Sequence, residues 1–167
     1  GVVSLGEAGN RVANLGATSG GAFIFDSAIE VALTTVGAAT GVTAGTDLSV
    51  TANGSILVQG PVQSGAALSL GSAQDVRVQA GGSLLATGPG GTVTLNADTD
   101  ATGVSTLSID GSVSAASSLV LAGGSDLNDQ IDINVSILAG ERLTVTDAGV
   151  VDLAGDISLS AGDDITV

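Results

Sequence analysis

"DLSVTANGSILVQGPVQSGAALSL", residues 47–70, carries its large aliphatic side chains in a short alternating pattern: Leu48 and Val50, Ile56 and Val58, Val62, then Leu68 and Leu70. Alternation at period two places the members of each pair on one face of a strand. Glycines stand between the pairs, where the chain has to turn. Twenty residues after Leu48 the pattern starts again at Leu68. Three inward-facing strands in one short repeat are what a single turn of a parallel β-solenoid requires.

The same unit can be followed outward in both directions. The first apolar position recurs at Leu48, Leu68, Val93, Leu119, Leu143 and Ile165, in steps of 20, 25, 26, 24 and 22 residues. A second series runs Ile56, Val76, Leu107, Ile131 and Val151, and a third Val62, Leu84, Val113, Ile137 and Ile157. Upstream, Val3 with Leu5 and Phe23 with Phe25 continue the first series at steps of 20 and 25. The expectation is all-β: a parallel β-helix (β-solenoid) of about seven coils, each of 20–26 residues and three short strands. It forms a single segment over 1–167, with less regular coils in 1–45 and regular ones in 46–167. Residues 27–46 also admit one short helix on the side of a coil. The middle positions of the first series, Ser49, Ser69, Thr94, Val120, Thr144 and Thr166, point outward, and Ser49, Ser69, Thr94 and Thr144 are expected to be exposed. This mixed hydroxyl stripe fits cross-strand pairing on a solvated face better than the regular array an ice-binding surface needs.

Composition agrees with narrow, closely layered strands. The 167 residues include two aromatics, Phe23 and Phe25, and no Trp, Tyr, Met, Cys, His or Lys. Val, Leu, Ile and Ala must make the core. A lone coil of such residues buries too little to offset the entropy of ordering it, so coils are stable only when stacked.

Charge and missing residue types narrow the function. Seventeen acids face three arginines, Arg11, Arg77 and Arg142, for a net charge of -14. Such a surface cannot neutralise nucleic acid or anionic lipid, but it suits divalent cations. No apolar run approaches the roughly 20 residues of a membrane span. Without His, Lys or Cys there is nothing to activate a nucleophile, hold zinc or complete a phosphate loop. A lyase-like solenoid would have only Arg77 as a base in the second series. We therefore expect no enzyme.

One corner stands out. First-to-second-series spacing is 8 residues from Leu48, Leu68 and Leu143, but 14 from Val93 to Leu107 and 12 from Leu119 to Ile131. The two insertions, acidic and glycine-punctuated, fall at the same corner of successive coils. They bring Asp98, Asp100, Asp126, Asn128 and Asp129 to one side of the solenoid. These acids have two readings: a solvated corner that keeps an apolar repeat soluble, or a binding module whose corner holds calcium through hard oxygen ligands, or else a host ligand.

"DLSVTANGSILVQGPVQSGAALSL", "TVTLNADTDATGVSTLSIDGSVSA" (92–115) and "RLTVTDAGVVDLAGDISLSAGDDITV" (142–167) resemble the repeats of filamentous-haemagglutinin-type large exoproteins, over roughly residues 46–167. The resemblance implies a right-handed β-helix at the cell surface or outside a bacterium, serving as an adhesin shaft or surface fibre. Both termini read as strands of the first series, so Val3, Leu5, Ile165 and Val167 are expected to meet another copy head to tail, or further coils.

Overall fold

The structure is a computed structural model that describes residues 1–7, 9–146, 148–155 and 158–167. Among these the chain is all-β, with no helix, and its long sheets are parallel. The first sheet has eight strands: Val3–Leu5, Phe23–Ser27, Leu48–Ala52, Leu68–Ser72, Val93–Asn96, Ser118–Ala122, Arg142–Thr146 and Asp164–Thr166. The second has seven: Asn14–Leu15, Val31–Leu33, Ile56–Val58, Val76–Val78, Thr106–Ile109, Gln130–Ile133 and Val150–Leu153. The third also has seven: Ala17–Ser19, Val42–Ala44, Pro61–Ser64, Ser83–Ala86, Ser112–Ala115, Ile137–Ala139 and Leu159–Ser160. The chain visits the three sheets in turn, which makes a β-solenoid of about seven coils.

The ladders pair the residues that the repeat aligns. Phe23 sits opposite Leu48, Leu48 opposite Leu68, Leu68 opposite Val93, Val93 opposite Leu119, Leu119 opposite Leu143 and Leu143 opposite Ile165. Ile56, Val76, Leu107, Ile131 and Val151 form the second row, which continues upstream to Val31. In the third row, Val62 opposes Leu84 and Leu84 opposes Val113. The last coil differs there, because Ile137 pairs with Leu159. The expected partner, Ile157, lies outside the described residues.

Burial follows the alternation. Leu48, Val50, Ile56, Val58, Val62, Leu68 and Leu70 are all in the core, and the same positions of the following coils extend it. At the end of the third sheet, Ala44, Ser64, Ala86, Ala115 and Ala139 stack in one buried column. Two strands meeting at an angle leave room for small side chains only, which is why Ala and Ser recur there. The middle positions Ser49, Ser69, Thr94 and Thr144 are half-buried, not fully exposed as expected, and so is Val120. Each is flanked in the ladder by side chains about one strand spacing away, which shield it from both sides. Thr166, on the outer strand, is exposed.

Residues 27–46 hold no helix. Instead the second coil puts out an antiparallel hairpin, Thr35–Val36 with Ala39–Thr40, between its second and third strands. Gly37, at φ 60°, takes the left-handed conformation that such a tight turn needs.

Candidate functional site: the acidic corner

The corner after the first sheet is short in most coils. Phe23 to Val31 repeats the eight-residue spacing seen from Leu48, Leu68 and Leu143. The fifth and sixth coils lengthen it, between Asn96 and Thr106 and between Ala122 and Gln130. Because Asn96 pairs with Ala122, the ladder runs directly into both insertions and delivers them one above the other.

Of the five residues expected here, the structure gathers three. Carboxylate oxygens of Asp98, Asp126 and Asp129 all lie within 4.8 Å of one another. Asp98 is 4% exposed and Asp129 0%, whereas Asp126 is half-buried. Asp100 and Asn128 are exposed and stand outside this convergence. The exposed Asp100 carboxyl nevertheless comes near enough to that of Asp98 to help burial push it upward.

Backbone hydrogen bonds hold the acids in place. Asp129 accepts the Ser105 amide on Oδ1 at 2.8 Å and the Asp126 amide on Oδ2 at 2.7 Å. Asp98 accepts the Thr102 amide on Oδ1 at 2.9 Å. Its other oxygen, Oδ2, is buried and has no hydrogen-bond partner among the described residues. The Asp98 backbone is left-handed, at φ 55°, a conformation that Asp tolerates better than most residues. Ala101 shares that φ without this tolerance, so the first insertion carries local strain.

Gly124 closes the corner. Its φ is 120°, and a Cβ built there would run into Asp129 Oδ2 and the Asp98 Cβ. No other residue leaves room for the two acids to approach, a requirement hidden in "AGGSD" as one glycine among 26. Asp75, from the fourth coil, was also not singled out by the sequence. It accepts the Thr106 amide at 2.8 Å and pairs with Arg77 at 2.7 Å, fixing the point where the first insertion returns to the second sheet.

Electrostatics at the corner are one-sided. Burial pushes the Asp98 carboxyl above its ordinary range; the Thr102 amide opposes this, and the charges of Asp129 and Asp100 add to it. Arg77 is engaged by Asp75, and Arg142 opens its strand at the opposite end of the first sheet from this corner. The arrangement can do one thing chemically: present several hard oxygens to one point.

Family models, curated proteins and solved structures were compared with the chain, and none of them matches it.

Proposed function

We propose that this chain is a shaft segment of a bacterial cell-surface fibre or adhesin of the filamentous-haemagglutinin kind, whose work is length and stiffness outside the cell. The observation that supports this reading most directly is the continuity of the three ladders. Sheets of eight, seven and seven parallel strands run through the coils, over a single apolar core. Each added coil extends such a rod by about 4.8 Å without any new design. The acidic surface keeps the rod soluble, and the resemblance of the repeats to those exoproteins supports the location. The reading assigns no catalysis, since the chain has no His, Cys or Lys to carry it.

Head-to-tail contact belongs to the same proposal. Val3 and Leu5 lie on one outer strand of the first sheet, and Ile165 lies on the other, with Val167 next to it. Leu5, Ile165 and Val167 are exposed, while Val3 is half-buried. Whatever coil comes next, from the same polypeptide or from a second copy, would add to these ladders and cover these side chains. Electron microscopy of the purified chain tests the proposal. Rods whose length increases by about 4.8 Å for each coil added genetically support it; round particles that ignore coil number would rule it out.

A further inference from the structure

We propose that Asp98, Asp126 and Asp129 bind one calcium ion, which clamps the insertion of the fifth coil to that of the sixth. Acids crowd many surfaces without an ion, and three of them alone would carry no such claim. What sets this corner apart is the Asp98 Oδ2 atom. It belongs to a side chain 96% buried, it has no hydrogen-bond partner among the described residues, and its carboxylate belongs to the convergent group. A buried carboxylate oxygen left without a donor is costly, and three routes relieve it: a proton, a water or a cation.

The surroundings favour a cation. Every side chain that converges on the point is an acceptor when ionised, so the charge there is formally three negatives, and none of the three acids forms an ion pair with an arginine among the described residues. Both Asp129 oxygens already hold amides, which anchors them while leaving each a second lone-pair direction for a metal. No two of the three oxygens are farther apart than 4.8 Å, which is the widest separation that two ligands of one ion reach at the usual calcium–oxygen distance of about 2.4 Å. Calcium takes six to eight oxygens in loose geometry, so backbone carbonyls and water at the half-open Asp126 side can complete the shell. Zinc is unsuited to an all-carboxylate set without His or Cys.

The ligands come from two coils. Asp98 projects from the insertion that follows Val93–Asn96, and Asp126 and Asp129 from the one that follows Ser118–Ala122. An ion between them therefore binds only the stacked arrangement, and it stabilises the folded chain by mass action.

Calorimetric titration of the intact chain with calcium chloride, alongside melting in chelator and in calcium, tests the assignment. One ion per chain is expected, with a rise in Tm of about 5–10 °C at a hundredfold excess over Kd. Asp126→Asn is the informative variant, because Asp129 and not Asp126 pins the loop through two amides. It should weaken binding at least tenfold, while Asp152→Asn, an exposed acid on the second sheet, should leave binding unchanged. Should Asp126→Asn fold poorly, the titration of the unmodified chain still decides. No heat at millimolar calcium and equal Tm with and without chelator overturn the proposal, as does full affinity in Asp126→Asn.

Discussion

Asp129, in the insertion of the sixth coil, accepts the backbone amide of Ser105 at 2.8 Å, at the end of the insertion in the fifth. A side chain of one coil thus does for its neighbour what the ladder does elsewhere: it satisfies an amide that no strand partner reaches. Asp129 continues the link through its own carbonyl, which accepts the amides of Gly149 and Val150 in the seventh coil. Three successive coils are tied through one residue. Asp129→Ala should therefore cost about 3 kcal/mol or more in thermal or denaturant unfolding, since it strands two amides and opens a hole in a filled corner. A loss below about 1 kcal/mol would mean that water replaces the carboxylate without penalty.

The core and the outward row of the first sheet should respond differently to truncation. Leu119 is fully buried between Val93 and Leu143, whereas Thr94 is half-buried on the outer face. Leu119→Ala is expected to cost about 2–5 kcal/mol, and Thr94→Ala less than about 1 kcal/mol. Equal losses in urea unfolding would contradict the strand register, because a slip of one residue exchanges the two faces.

Gly124 and Gly90 separate space from conformation. Both have positive φ, 120° and 76°, yet a Cβ at Gly90 meets nothing within 4 Å whereas one at Gly124 collides with two acids. Gly90→Ala should cost about 1–2 kcal/mol for its backbone alone. Gly124→Ala should cost about 3 kcal/mol or more, with the excess coming from displaced Asp98 and Asp129. Similar Tm values for the two variants would show that the corner gives way easily.

Acid should help this corner when calcium is absent. Burial is the main reason that the Asp98 carboxyl lies above its ordinary range, with Asp129 and Asp100 adding to the shift. The folded chain therefore binds this proton more tightly than the unfolded one. The contribution to stability is fully present below the unfolded pKa and is lost as pH rises through the folded one. In chelator, Asp98→Asn should be more stable than the unmodified chain at neutral pH, and the difference should shrink as pH falls through that window. With calcium the order reverses, because the amide removes a ligand. Parallel pH profiles for the two chains in chelator would disprove the shift.

Ile165→Lys examines the outer strand. Ile165 pairs with Leu143 on one side and is exposed on the other. If copies stack there, the unmodified chain should sediment as concentration-dependent oligomers and Ile165→Lys as a single species. A monomer at every concentration, in both chains, would dismiss stacking of copies.

The ladders were legible because two simple periods coincide. Alternation marks which side chains face in, and the eight-residue step from Leu48 to Ile56, repeated from Leu68 and Leu143, marks where each strand begins again. The register slips only where a corner changes length without a signal, as between Ile137 and Leu159. The hairpin at Thr35–Thr40 was hidden for a related reason, since "TTVGAAT" alternates no better than the coil around it. At the acidic corner the spacing revealed the insertions but not their internal fold. That depends on a left-handed Asp98, a cramped Gly124 and backbone amides, none of which has a periodicity. Five acidic or amide side chains look alike in the sequence; the chain path turns three inward and leaves Asp100 and Asn128 in solvent.

Phe23 and Phe25 are the chain's two aromatic residues, and both are buried in the second coil, facing Leu48 and Val50 of the third. With no Trp or Tyr elsewhere, the near-ultraviolet signal of the whole molecule comes from one place near its amino-terminal end. In a structure where each coil holds mainly its neighbours, unfolding can start at either end and spread. Phenylalanine emission would then report the loss of one end while far-ultraviolet dichroism averages all the coils. The separation between the two curves gives the direction in which the solenoid unravels, without any label having to be added.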